Sequence, residues 1–102
     1  MNNSTNNNDL MKNLTQECGV IEWPLLKPHY ERGALIIVQE GLDIIAVGME
    51  IANDNQPQIK QWISEQSLIK PTSKQVDNWE QHNTHFKSLV VAPFVLMQLI
   101  SH

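Results

Sequence analysis

The side chains that could do chemistry are few and scattered along the chain. His82-x-x-His85, with Asp77 and Glu80 nearby, has metal-ligand residue types at a spacing that puts two imidazoles on one side of a helix. A helix-borne pair needs a third ligand and nothing in the sequence points to one, so the simpler reading is a frayed, solvated helix end with no metal. A second group, His29, Tyr30, Glu31 and Arg32, precedes an apolar run, and Glu50 and Asp54 follow the next one. If the two runs pair as a hairpin, His29, Arg32, Glu50 and Asp54 meet at one end of a sheet. There Arg32 would bind an anion, and His29 or Glu50 would move a proton. The plainer alternative is an ion pair from Arg32 to Glu50 or Asp54 that pins a helix to the hairpin.

Glu40 and Asp43 would lie at the turn of that hairpin, about 20 Å from Glu50 and Asp54 at roughly 3.3 Å per residue, so the four carboxylates do not form one acid/base site. Cys18 is the sole cysteine. It excludes an intrachain disulfide, a zinc ribbon and a Cys-x-x-Cys pair, fits a reducing compartment, and reads as a small buried hydrophobe rather than a reactive thiol. Neither a glycine-rich phosphate loop nor a nucleophile elbow is present, which lowers the expectation of a nucleotide hydrolase or an α/β esterase. No cofactor is implied.

The element that would position these groups runs from Gly33 to Ile51. Gly-Ala-Leu-Ile-Ile-Val-Gln, a turn at Glu40-Gly41, then Leu-Asp-Ile-Ile-Ala-Val-Gly-Met-Glu-Ile reads as two β-branched strands joined at a glycine that can take positive φ. Gly48 leaves a shallow spot on one face. Around it, Asp9 can cap a helix through Met11, Leu14 and Cys18 that ends at Gly19, while the Asn-rich residues 1–8 have nothing to bury and are expected to form a disordered tail. Pro24 and Pro28 break Val20 to Arg32 into two short turns. Asn53-Asp54-Asn55 and Pro57 open a helix carrying Ile59, Trp62, Ile63 and Gln66. Leu68-Ile69 is extended, and Thr72-Ser73-Lys74-Gln75 has the form of a capping box ahead of a helix that turns Val76 and Trp79 inward. Phe86 to Ala92 reads as a third strand, and Pro93 demotes the segment after it to a bulge, an edge strand or a departure from the sheet.

The chain has 102 residues and a net charge of −4, which is one domain's worth of core and an argument against nucleic-acid binding. Lys70, Lys74 and Lys87 could contact phosphates from a helix-turn-helix, but Asp77 and Glu80 stand beside them. The longest apolar run, Leu89 to Leu96, is too short to cross a bilayer, and the N-terminus has no secretory pattern, so a cytoplasmic protein is expected.

Trp23-Pro24-Leu25, Glu31-Arg32-Gly33, Asn53-Asp54, Trp62, Lys70-Pro71-Thr72, Trp79 and above all Val90-Val91-Ala92-Pro93-Phe94-Val95-Leu96 resemble a family of short bacterial proteins catalogued only as a domain of unknown function. The resemblance runs from Leu10 to Leu99. It implies a bacterial, intracellular, single-domain protein and carries no activity, ligand or catalytic residue with it.

The expectation is therefore an α+β domain over residues 9–102. Its small, three-stranded, mainly antiparallel sheet is built on the central hairpin and packed by short helices, with Leu35, Ile36, Ile37, Val47, Trp62, Ile63, Trp79 and Val91 in the core. Its expected role is a non-enzymatic interaction module. It would self-associate or dock on a larger protein through the apolar C-terminal segment, with Phe94, Leu96, Leu99 and Ile100 at the interface. The alternative is a small-molecule, anion-binding or catalytic protein using His29, Arg32, Glu50 and Asp54.

Overall fold

Five helices and five strands make up the computed structural model, which describes residues 3–100. In chain order they are α1 (Asn3–Glu17), β1 (Gly19–Glu22), α2 (Trp23–Glu31), β2 (Leu35–Val38), α3 (Ile44–Ala52), α4 (Gln56–Ser64), β3 (Leu68–Ile69), α5 (Ser73–His82), β4 (His85–Val91) and β5 (Phe94–Leu99). The strands form one mixed sheet in the order β1-β4-β5-β2-β3. β1–β4, β4–β5 and β2–β3 are antiparallel, and β2–β5 is parallel.

The expected hairpin is half right. Leu35–Val38 is a strand, and Gly41 takes a φ of 95° at the bend. The second expected strand is helix α3. Asp43 caps it by accepting the Ile45 N–H at 3.0 Å, and Ile44, Val47 and Gly48 form its buried stripe. Ile45, Met49 and Ile51 also pack against the core, so the segment is apolar nearly all round. An apolar run of this length fits a strand or a buried helix equally by pattern, and packing on two sides decided for helix over the β-branched residues' preference.

Three further boundaries differ from expectation. Val20–Glu22 belongs to β1, which pairs with β4 from Gly19↔Ser88 to Glu22↔His85. Trp23 to Glu31 is one helix with Pro28 inside it, while Pro24 sits within its first turn, where no intrahelical N–H is required. Pro93 follows a cis peptide bond in the Ala92-Pro93 reversal, after which Phe94 to Leu99 returns as β5. The proline lies in the turn, where no ladder hydrogen bond is required of it. At the N-terminus, residues 1 and 2 lie outside the described residues. The backbone of 3–8 belongs to α1.

Alternation along the strands sorts the core into two halves, one on each face of the sheet. Against one face, α2 and α5 bury Trp23, Leu26, Val76 and Trp79 over Leu35, Ile37, Phe86, Val95 and Met97. Against the other, α1, α3 and α4 cover Val38, Leu68, Leu89, Val91 and Leu96. Of the expected core, Leu35, Ile37, Val47, Trp79 and Val91 are buried, Ile36 and Trp62 are half-buried, and Ile63 is 54% exposed. Ile63 faces out because α4 has no fully buried residue of its own and rests on α3 by one edge.

The capping box is formed as expected. Gln75 N–H donates to Thr72 Oγ1 at 3.2 Å, and Thr72 N–H donates to Gln75 Oε1 at 3.0 Å. Thr72→Ala is expected to cost about 1 kcal/mol, read as a lower urea midpoint with an unchanged slope.

Candidate functional site

The four polar residues expected to meet at one end of a hairpin are separated into two pairs. Arg32, at the end of α2, donates from one guanidinium nitrogen to His29 Nδ1 at 2.9 Å and from the other to the Pro93 carbonyl at 3.3 Å. A guanidinium can only donate, so His29 Nδ1 is the acceptor. Glu50 instead accepts from Asn55 Nδ2 at 2.8 Å, and Asp54 accepts from Gln56 Nε2 at 3.4 Å. Arg32 therefore braces the β4–β5 turn and makes no ion pair with either carboxylate. The separation follows from α3: as a helix it carries Glu50 and Asp54 away from the start of β2, where a second strand would have brought them back.

The His82 and His85 pair also parts. Asn83 takes a left-handed conformation that ends α5, so His82 hydrogen-bonds the Asn78 carbonyl at 2.8 Å while His85 opens β4 and stands 4.0 Å from Glu22. Among the described residues, no three His, Cys, Asp or Glu side chains are grouped to hold a metal ion. Cys18 is half-buried, and burial raises its thiol above the usual range against the pull of Lys87. That is the environment of an inert thiol.

Trp23 lies in the core at 1% exposure. Its indole N–H meets no hydrogen-bond partner of good geometry, though it is close enough to Glu80 to help hold that carboxyl low. The larger cause there is the Lys27 ammonium, 2.6 Å away in an exposed ion pair.

Of the four expected interface residues, Leu96 is corrected to the core: it is fully buried, because β5 is an interior strand with helices on both faces. Phe94 and Leu99, at opposite ends of β5, are 37% and 57% exposed, and Ile100 is half-buried. Each end borders a concavity.

The larger concavity is an apolar groove of about 680 Å³ at the Phe94 end. It is lined by Ile59 and Ile63 of α4, Ile36 of β2, Leu68 of β3, Ile51 of α3 and the Ala92-Pro93-Phe94 turn. Arg32 braces that turn from outside through the Pro93 carbonyl. Three polar residues, Asp54, Gln66 and Lys70, stand at the groove. Two of them owe their place to the way α3 and α4 end. Asp54 N–H bonds the Ile51 carbonyl and Asn55 N–H the Glu50 carbonyl; Gln66 N–H bonds the Ile63 carbonyl and Ser67 N–H the Trp62 carbonyl. Both are Schellman ends, whose left-handed position usually belongs to glycine. Here it holds Asp54 at φ 55° and Gln66 at φ 62°.

The smaller hollow, about 420 Å³, lies at the Leu99 end between the Glu40–Ile44 segment and Lys87. Its polar groups are largely engaged with one another. Asp43 caps α3, and Gln98 Nε2 donates to the carbonyls of Gln39 and Leu42 at 3.1 and 2.6 Å.

The fold and its groove define an α+β domain with helices on both faces of a mixed sheet and an apolar recess at one sheet end. The chain belongs to the family described as a protein of unknown function, DUF2288, whose model matches residues 9–99. It is also similar to the NMR solution structure of PA1075 from Pseudomonas aeruginosa, with a TM-score of 0.79 and 30% identity over 92% of this chain and 87% of that one. No match was found among curated proteins. Among the described residues, no helix is long and apolar enough to cross a membrane.

Proposed function

We propose that the protein is a non-enzymatic binding module of the bacterial cytosol, which takes an apolar ligand or partner side chain in the groove beside Phe94. The observation that carries this reading is the groove itself. Its volume of about 680 Å³ lies in the range of small-ligand sites, and such sites pair an apolar lining with a few polar groups. The backbone supports the same reading. Asp54 and Gln66 occupy left-handed positions where glycine would be easier by roughly 1 kcal/mol each, and both side chains stand at the groove. His29 and Arg32 bond to each other while Glu50 and Asp54 bond to neighbouring amides, which argues against a catalytic use of those four as one set.

A neutral apolar probe tests the proposal. Decanol should raise the melting temperature and move the amide resonances of Ile36, Ile59, Ile63 and Phe94. Because Ile63 is already 54% exposed, Ile63→Glu should change stability by no more than about 0.5 kcal/mol. It should weaken decanol binding about tenfold or more, since a carboxylate would then be desolvated against the ligand. Absence of any stability or resonance shift with neutral apolar probes would defeat the reading. So would shifts confined to the Leu99 end.

A further inference from the structure

The charges around the groove are not balanced, and the imbalance identifies a chemical class of occupant. Asp54 is compensated twice. Its carboxylate accepts from Gln56 Nε2, and it immediately precedes Asn55, the cap of α4, where the positive end of the helix dipole and its unsatisfied N–H groups favour negative charge. Lys70 has no such partner. Its side chain is exposed and makes no ion pair or hydrogen bond among the described residues, although the whole chain is acidic, with 11 Asp and Glu against 7 Lys and Arg. Arg32, which braces the Pro93 wall of the same groove, is likewise without a carboxylate partner among the described residues, with two of its N–H groups donating to His29 and the Pro93 carbonyl. Gln66 adds an exposed amide with no hydrogen bond of its own.

The groove thus offers apolar walls, an unpaired ammonium and an unengaged amide, and the one acid beside them is already held by a helix end. Resting on the groove reading above, we propose that the ligand is an amphipathic carboxylate of the free acyl-acid type: its hydrocarbon lies along Ile36, Ile59, Ile63 and Phe94, and its carboxylate is held by Lys70. An apolar body alone would leave Lys70 unused. A cationic amphiphile would set like charges together at Lys70 and meet, at Asp54, an acid already compensated by α4. An acyl carboxylate meets both surfaces with the complementary group, and a charge-assisted hydrogen bond from an ammonium is among the stronger polar contacts available at a surface.

The measurement is a binding series with monomeric decanoate, decanol and decyltrimethylammonium at low ionic strength, followed by calorimetry and by amide resonances, on the intact protein and on Lys70→Glu. Decanoate is expected to bind about tenfold more tightly than decanol, with the advantage shrinking as salt screens it. Lys70→Glu should erase that advantage, leave the melting temperature unchanged, and turn the preference toward decyltrimethylammonium. If decanol and decanoate bind alike, the carboxylate assignment is overturned while the groove reading stands. If neither binds, the groove reading itself falls. A decanoate preference that survives in Lys70→Glu overturns the role of Lys70. Binding to vesicles of anionic lipid in place of monomeric decanoate would overturn the free-acid identity of the ligand.

Discussion

Trp79→Ala is expected to destabilise the domain by about 4 kcal/mol, which for a chain of this size lowers the melting temperature by roughly 20 °C. Trp79 is 5% exposed and joins three elements. From α5 its ring meets Trp23 of α2 at 5.1 Å between centroids and Phe86 of β4 at 5.0 Å, the latter edge-to-face at 79°. Tyr30 extends the cluster, 6.0 Å from Trp23. Removing the central ring opens a cavity among large side chains that cannot all move into it, and it also forfeits two aromatic contacts worth about 0.5–1.5 kcal/mol each beyond area burial. A domain of this length has only about 5–15 kcal/mol in total, so the loss is a large share of it. Urea denaturation of Trp79→Ala beside Trp79→Phe separates the two contributions. Phe keeps one ring in the cluster and should lose about half as much. Equal, small losses in both variants would show that α5 is not held through this cluster.

The second large effect is expected at Gly48, where α3 lies directly on the sheet. A Cβ there would stand 2.7 Å from Leu89 Cδ2, with Val91 Cγ2 and Leu14 Cδ1 at 3.3 and 3.4 Å. Leu89 is 1% exposed, so its terminal methyl can give way only by moving within the core. Gly48→Val, which adds two further methyl groups at this contact, is expected to cost about 3 kcal/mol by overpacking. Gly48→Ala sets a smaller intrusion against a gain of about 1 kcal/mol in helix propensity, and its net loss should stay below about 1 kcal/mol. Equilibrium urea curves on the two variants test the pair. A Val variant as stable as the parent would mean that α3 can lift off the sheet at little cost.

Gly48 also shows what in this sequence was hard to read. Taken as a strand, Ile44 to Ile51 leaves Gly48 as a dent in one face. Taken as a helix, Ile44, Val47, Gly48 and Ile51 fall at i, i+3, i+4 and i+7, and the glycine becomes the point of closest approach. The β-branched residues favour the first reading and Asp43 as a cap favours the second. Only burial from both sides, by α1 and α4 as well as the sheet, separates them, and that is a property of the whole fold. Signals local in sequence were legible: the Thr72–Gln75 box, the Asn55 cap with Pro57, the strand after His85, and the inward Val76 and Trp79. Phe94 was legible as an exposed apolar residue near a proline. Leu96, in the same run, was not legible as core, because its burial depends on β2 pairing beside β5 from some 60 residues upstream. The groove shares that difficulty. Ile36, Ile51, Ile59 and Phe94 come from four elements, and no short spacing brings them together.

The position of β5 bears on how the protein is made. β5 lies between β4 and β2, yet it is synthesised after all four of the other strands. Until Leu99 has left the ribosome, the β1–β4 pair and the β2–β3 pair are two separate half-sheets. Leu35 and Ile37 on one, and Phe86 and Leu89 on the other, then lack the strand that joins them. The parallel pairing of β2 with β5 joins residues 60 apart in sequence, a separation exceeded in the sheet by the 63 to 69 of β1 with β4, and it adds this slow class of contact after the other four strands have been made. Each emerging chain therefore carries open strand edges and unburied Leu, Ile and Phe side chains until that strand is added. This is the interval in which a chaperone, or a neighbouring nascent chain, would meet them.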